Sequence, residues 1–176
     1  MSEGFLEQGE PPAREYRGFV RRVKPGNDLP CTIVSATFWR AWVHWQGRSI
    51  PCFKAKKSCP GCKLRWPRKF LGYLFIYNEH NRKYEHLELP LDACHDLADA
   101  VGPDGQLRGT RVKIKRIGGT KGRLFFDLQS RIEAVAPGFA LAEDQDPSSI
   151  LEYLWGVNVG KLKLADDTDL PARDAM

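Results

Sequence analysis

The sequence predicts a mainly β fold with a minor α component. Between residues 15 and 132, most segments alternate apolar with polar side chains or are rich in β-branched and aromatic residues. Clusters of Gly, Pro, Asn and Asp separate these segments, as turns do between strands. The chain fits one globular domain with tails, because 176 residues with 42% hydrophobic content can bury a core.

The first predicted strands lie on either side of a loop rich in cysteine. Residues 15–24 alternate and predict one strand, which ends at the turn residues 25–28. Residues 31–45 predict either one long strand or two short ones. Beyond the loop, residues 70–78 and 83–90 predict a hairpin.

A helix and a second hairpin follow. Residues 91–101 carry apolar side chains at helical spacing, and the Gly-Pro-Asp-Gly run at 102–105 ends the helix. Residues 109–119 and 122–132 predict the hairpin, whose first arm alternates apolar with basic side chains. The rest of the chain is acidic and contains a short amphipathic helix at 148–155.

A helix between the third and fourth strands of a small antiparallel barrel is the layout of an OB-fold. We therefore predict an OB-like barrel of five or six antiparallel strands with a zinc-stapled loop insertion and a short C-terminal helix. Another small barrel and an α+β sheet are the alternatives. The predicted parts are a flexible arm at 1–15, the OB-like domain at 16–135 with its cysteine-rich loop at 44–69, and the acidic C-terminal segment at 136–176, which contains the short helix.

The cysteine-rich loop predicts one structural zinc ion. His44, Cys52, Cys59 and Cys62 follow the pattern H-x7-C-x6-C-x2-C, and thiolate with imidazole is the ligand set that tetrahedral zinc prefers. The lysines around the thiols are expected to lower the thiol pKa values and so to favour metal binding. The opposing interpretation is that all five cysteines are ordinary thiols. Other candidate ligands are His80, His86, His95, Cys31 and Cys94, of which the two cysteines are expected to pack as small hydrophobic side chains.

The charge distribution indicates a polyanionic partner. The net charge is +5, but residues 14–131 hold 24 bases and 10 acids, whereas residues 132–176 hold 3 bases and 9 acids. Residues 29–78 contain nine bases and no acid. Each phosphate that such a surface neutralises releases counterions, so a basic body with an acidic tail favours nucleic-acid binding.

Aromatic side chains are mixed with the bases, a combination suited to single strands, because bases stack on aromatic rings while cations follow the phosphates. On a strand, Trp39 and Trp45 would share one face, and Trp42 and His44 the other. The predicted nucleic-acid-binding residues are Trp39, Arg40, Trp42, Trp45, Arg48, Lys54, Lys56, Lys57, Lys63, Arg65, Trp66, Arg68, Lys69, Arg111, Lys113 and Lys115.

The order of the four ligands inside a basic, aromatic domain with an acidic tail resembles the zinc-containing single-stranded DNA-binding proteins, the family of the T-even phage helix-destabilising protein. The likeness covers His44, Cys52, Cys59 and Cys62 and the general plan of residues 16–132, and it departs in loop lengths. It implies sequence-indifferent coating of single-stranded DNA in replication, recombination or repair. It also implies that the acidic tail recruits other replication proteins.

No catalytic motif supports an enzyme. A zinc deaminase requires an H-x-E motif, and Gln46 occupies the position of its glutamate. The alternative functions are a zinc-stabilised adaptor or an RNA-binding subunit of a larger nucleic-acid machine. Since the sequence has neither a signal peptide nor an apolar run long enough for a membrane, we expect a cytoplasmic protein with no membrane partner.

Overall fold

A computed structural model describes residues 20–45, 49–52, 59–103, 105–132, 134–136 and 139–143. Within these residues the protein is mainly β, as predicted. The elements are β1 (Val20–Arg21), β2 (Leu29–Ile33), β3 (Trp39–Trp45), β4 (Ser49–Pro51), α1 (Pro60–Lys63), β5 (Arg68–Asn78), β6 (Lys83–Pro90), α2 (Leu91–Val101), β7 (Thr110–Ile117), β8 (Arg123–Arg131), β9 (Ala134–Ala136) and β10 (Phe139–Ala140).

Strand β5 organises an open mixed sheet whose order is β1-β6-β5-β2-β7-β8. One edge of β5 pairs with β6, and its other edge pairs with β3 near its beginning and with β2 near its end. Strand β4 extends the sheet beyond β3. The short strand β1 runs parallel to β6, while the other pairs of this sheet are antiparallel. Strands β9 and β10 form a separate two-stranded sheet.

The predicted elements correspond closely to these strands and helices. Both hairpins form, and α2 begins and ends where its spacing and Gly102 predicted. The stretch 31–45 contains two strands, β2 and β3, and β2 already begins at Leu29. Of the first predicted strand, only Val20 and Arg21 are paired within the described residues. The N-terminal arm at 1–15 and the helix at 148–155 lie outside the described residues.

The core lies between the sheet and α2. Leu74 and Ile76 of β5, Leu87 and Leu89 of β6, and Leu97 of α2 are all fully buried. The burial of these aliphatic side chains stabilises the contact between α2 and the sheet, by about 25 cal/mol for each Å² of apolar surface removed from water. We call this side the core face of the sheet and the opposite side its outer face.

Cys31 and Cys94 belong to this core, which confirms that they pack as small hydrophobic side chains. A Cβ atom at Gly72 would overlap the Cys94 sulfur, so this glycine is what lets α2 approach β5. Burial raises the pKa of the Cys94 thiol to about 12, and it raises that of Cys31 as well. Both thiols are therefore protonated at neutral pH.

The candidate metal centre and its surroundings

Four candidate ligand atoms converge in the corner formed by β3, β4 and α1. The Cys52 and Cys62 sulfurs are 3.7 Å apart, and Nε2 of His44 lies 3.4 Å from the Cys59 sulfur and 3.5 Å from the Cys62 sulfur. All four atoms lie within 4.8 Å of one another. In a tetrahedral zinc site, metal–ligand bonds of about 2.3 Å to sulfur and about 2.0 Å to nitrogen place two sulfurs roughly 3.8 Å apart and a sulfur and a nitrogen roughly 3.5 Å apart. The three measured separations agree with this spacing to about 0.1 Å, so the four residues could together hold one metal ion.

Three separate elements supply the ligands. His44 lies on β3, where it pairs with Ile50 of β4 and Arg68 of β5. Cys52 directly follows β4, and its backbone N–H donates to the Trp42 carbonyl at 2.8 Å, which extends the β3–β4 pairing by one step. The third element, α1, is a single helical turn.

That single turn supplies the two remaining thiols. Cys59 is the residue before α1, and its carbonyl accepts a hydrogen bond from the Lys63 N–H at 3.1 Å. Pro60 occupies the first helical position, where no N–H is needed. Because Cys62 is three residues after Cys59, both sulfurs fall on the same side of the turn.

The histidine ring is held by contacts on two sides. Its Nδ1 donates to the Trp66 carbonyl at 3.0 Å, and since a carbonyl can only accept, the neutral ring offers its Nε2 lone pair to the metal. The ring also packs directly on Gly61: a Cβ atom added there would overlap the ring carbons and lie 2.9 Å from Nε2. Gly61 is thus required for the position of the ligand and not only for the turn.

Burial shields the cluster from water and opposes ionisation of the thiols. His44, Cys52 and Cys59 are at most 1% exposed, and Cys62 is partly exposed. Burial raises the pKa of the Cys52 thiol to about 12, helped by its hydrogen bond to Cys62, while the charge of Arg68 acts in the other direction. The expected lowering by neighbouring bases is therefore outweighed at Cys52. A bound cation would supply the charge that converts such a thiol to a thiolate.

Arg68 and Trp42 line the cluster. Trp42 packs against Cys52 and Cys59, and the guanidinium carbon of Arg68 lies 4.2 Å from the centre of its ring. The Trp42 Nε1–H and the Arg68 Nε–H are buried without a hydrogen-bond partner among the described residues. Three thiolates and a neutral imidazole around a divalent cation carry a net charge of −1, so a guanidinium beside Cys52 stabilises the loaded site.

The two faces of the sheet separate the residues predicted to contact nucleic acid. Cross-strand pairing places Trp39 beside Tyr73 on the outer face, and Trp42 beside Phe70 on the core face, which confirms the predicted alternation. The outer-face members of the predicted set are Trp39, Trp45, Lys69, Arg111, Lys113 and Lys115, and the core-face members are Arg40, Trp42 and Arg68. Lys63, Arg65 and Trp66 follow the metal ligands in the α1 turn, and Arg48, Lys54, Lys56 and Lys57 lie outside the described residues.

The basic residues of the predicted nucleic-acid-binding set differ in whether an acidic side chain pairs with them. The Arg111 guanidinium donates two hydrogen bonds to the Glu79 carboxylate in a bidentate pair, at 2.7 and 2.6 Å. The Lys115 Nζ lies 3.4 Å from Oδ2 of Asp28. Lys63 and Arg65 are exposed, and no acid of the described residues pairs with them. The turn after the metal ligands therefore offers its positive charge to solvent, whereas part of the charge on β7 is already neutralised.

The structure reveals a polar network on the outer face that the sequence analysis missed. The Arg22 guanidinium donates to Glu88 at 2.6 Å and to the Ser49 hydroxyl at 2.8 Å, and it lies 4.3 Å from the centre of the Trp45 ring. The Tyr73 hydroxyl donates to the same buried carboxylate at 2.9 Å. This network joins β4 to β5 and β6 behind the metal site. No sequence signal pointed to it, because its members are distant in the chain.

The other histidines lie away from the cluster. His86 packs on Phe75 of the sheet, with ring centres 4.9 Å apart, while His80 lies in the β5–β6 turn and His95 on α2. Of the candidate fourth ligands, the structure brings only His44 to the three cysteines among the described residues.

No helix in the described residues is long and apolar enough to cross a membrane. A scan against protein-family models, a search of curated proteins and a search of solved structures each found no significant match to this chain.

Proposed function

We propose that this protein is a non-enzymatic, sequence-indifferent single-stranded DNA-binding protein, whose DNA-binding turn is held by one structural zinc ion. The observation that carries the proposal is the exposed turn that follows the metal ligands. Lys63 and Arg65 there are exposed, Trp66 is half-buried, and no acidic residue occurs between positions 29 and 78. Cations next to aromatic rings are the combination that binds phosphates and stacks bases.

The ligand chemistry supports zinc as the ion. Three thiolates and one imidazole in a closed tetrahedron are typical of structural zinc, and four protein ligands leave no open coordination position for a substrate. Elemental analysis of the purified protein should give one zinc per chain. A metal-free protein that is folded in the corner formed by β3, β4 and α1 would contradict the assignment.

The strand order supports an OB-like arrangement. If β2 and β3 act together as one bent first strand, then β5, β6, β7 and β8 are the following four, and α2 lies between the third and the fourth. In an OB-fold, the loop between the first two strands and the loop between the last two flank the ligand-binding face. In this arrangement the metal-binding loop would be the loop between the first two strands, and the 118–122 turn would be the loop between the last two.

Binding can be tested by titrating the tryptophan fluorescence with oligo-dT at several salt concentrations. We expect quenching, and an affinity that falls steeply as salt rises. Replacing Lys63 and Arg65 together by Gln should reduce the magnitude of the salt slope by roughly 1.4, since each phosphate contact on a single strand contributes about 0.7.

The matched control replaces Arg82 and Lys83, two exposed bases at the β5–β6 turn, at the opposite end of β5 from the α1 turn, and should leave the slope almost unchanged. Equal effects of the two double variants would indicate a diffuse charge effect and no binding turn. Equal affinity for duplex and single strand would disprove the proposal, and an oligo-U titration measures the preference for DNA over RNA.

A second candidate is a zinc-stabilised adaptor or RNA-binding subunit in a larger nucleic-acid machine. It is favoured by the exposed apolar side chains of Ile117 and Phe125 on the β7–β8 hairpin, where part of the basic charge is paired with acids. Purification from cell extract with a stoichiometric protein partner, together with no affinity for free oligonucleotides, would favour this function over the first.

A further inference from the structure

Strand β8 is an edge of the sheet within the described residues, and it is unusually exposed. One side of β8 pairs with β7 along almost its whole length, while no described strand pairs with the other side. The exposed fraction of Phe125 is 48%, and that of Ile117, at the adjacent end of β7, is 58%. Long edge strands with exposed apolar side chains are templates for pairing with another strand.

The sequence of β8 is self-complementary about Phe125. When two copies of R-L-F-F-D pair antiparallel with Phe125 opposite itself, Arg123 of each copy lies opposite Asp127 of the other. Strand alternation starts both side chains on the outer side with Phe125, because Leu124 is buried in the core. The Arg123 guanidinium, which binds Asp96 of α2 within one chain, would exchange that carboxylate for Asp127 of the second copy. The outer face would then show an aromatic pair flanked by two ion pairs.

The core face fits the same register. Leu124 of each copy would lie opposite Phe126 of the other, so both flanking pairs are apolar. The register centred on Asp127 would instead place two carboxylates face to face and Arg123 opposite Arg131. Like charges directly opposite each other destabilise a sheet, and opposite charges and aromatic pairs stabilise it.

We propose that β8 is a self-association edge, at which a second copy of this chain pairs antiparallel about Phe125 and continues the sheet across a two-fold axis. The interface is isologous, so it closes as a dimer and does not extend into a filament. The pairing brings together two outer faces, each carrying Lys113 and Lys115 on β7. The proposal does not depend on nucleic-acid binding, because it concerns the free protein.

The test is analytical ultracentrifugation of the full chain over a wide range of protein concentration. The wild type should show a concentration-dependent monomer–dimer equilibrium. Asp127→Arg should weaken dimerisation by about tenfold, because it turns two attractive cross-strand pairs into two repulsive ones. The charge reversal Asp127→Arg with Arg123→Asp, made together with Asp96→Asn so that the new carboxylate does not face Asp96, should restore dimerisation.

Two controls separate this contact from other causes. Asp96 of α2 binds Arg123 within one chain at 2.8 Å and so competes for its guanidinium, and Asp96→Asn should therefore strengthen the dimer. Leu64→Arg alters an equally exposed apolar residue in the α1 turn and should leave the dimer intact.

A monomer at every concentration would overturn the proposal. A dimer that Asp127→Arg does not weaken, or that the charge reversal does not restore, would overturn the register and with it the interface. A peptide partner that binds β8 and leaves the free protein monomeric would do the same.

Discussion

The five cysteines, all buried except the partly exposed Cys62, fall into two groups whose surroundings give them different roles. Cys52, Cys59 and Cys62 meet His44 in a corner with little apolar surface, whereas Cys31 and Cys94 are enclosed by the aliphatic core. Both environments remove thiols from water. Only the first brings several donors within a few ångströms of one another, so only there can a cation offset the cost of ionising them.

The aliphatic core and the metal corner also differ in the interactions that stabilise them. The core is stabilised by leucine, isoleucine and valine side chains contributed by several strands and α2. The metal corner has a single helical turn, a three-residue strand and the cysteines themselves. Helices this short are not stable alone. The corner should therefore depend on its metal, and the core should not.

The largest expected effect is loss of the metal in Cys59→Ser. Structural zinc contributes roughly 10 kcal/mol or more of apparent binding free energy in small zinc domains, and a hydroxyl is a poor replacement for a thiolate. Metal content and hydrogen exchange of residues 59–68 should both report the change. Cys94→Ser is the matched control and should retain zinc. If the Cys94 variant lost the metal while a His44→Ala variant kept it, the ligand set would be wrong.

The core should respond in the opposite way. Leu97→Ala removes a fully buried side chain and should lower the free energy of unfolding by about 2–5 kcal/mol, measured by chemical denaturation. The zinc stoichiometry of the folded protein should stay at one, because α2 supplies no ligand. Loss of zinc without unfolding would mean that the two regions are coupled more tightly than their contacts indicate.

Gly61→Ala tests whether ring packing positions the ligand. The new methyl group would overlap the His44 ring, so the imidazole must move and zinc affinity should fall by at least about tenfold, the scale at which disturbed ligand orientation acts. Competition with a chromophoric chelator measures the affinity. Pro60→Ala, at the exposed neighbouring position, should change it little. Similar losses in both variants would point to a general effect on the α1 turn.

Arg68→Gln should weaken zinc binding by about 10–100-fold, because it removes the positive charge beside Cys52. Lys69→Gln is the matched control and should change zinc affinity little, because Lys69 lies on the outer face of the same strand. Competition with the chromophoric chelator measures the zinc affinity of these two variants as well. If Lys69→Gln alone weakened zinc binding, the assignment of Arg68 to the metal would fail.

The smallest effect concerns the acid–base pair between Glu79 and Arg111, which lies on the outer face beside Thr32 and includes no metal ligand. The hydrogen bonds from Arg111 hold the pKa of Glu79 below its usual range. The pair therefore contributes its stability above the unfolded-state pKa and loses it as the pH falls through the folded-state pKa. The contribution should be below about 1 kcal/mol, because solvent screens the pair.

The comparison is the pH dependence of unfolding in the wild type, Glu79→Gln and the exposed control Glu143→Gln. Glu79→Gln should flatten the acidic part of the profile, whereas Glu143→Gln should follow the wild type. Identical profiles for all three proteins would contradict the role of this pair.

The sequence predicted much of the local structure. Alternation gave the strands of both hairpins, and helical spacing with a terminal glycine gave α2, because these signals depend only on neighbours in the chain. The spacing of Cys59 and Cys62 predicted their closeness for the same reason. The sequence does not decide whether residues 31–45 form one strand or two, because β-branched and aromatic residues continue through the bend between β2 and β3.

Only the tertiary structure decided which residues act together over longer distances. The sequence favours His44 as the fourth ligand, and the structure brings this histidine to the cysteines, in place of His80, His86 or His95, by setting β3 against the α1 turn. The structure also places Arg68 and Trp42 on the metal side of β5 and β3. It also paired Arg111 with Glu79. Sequence spacing cannot supply such choices, because they depend on strand register and on which face each strand buries. The sequence by itself determined the ligand types and their order, and the fold determined their shared centre.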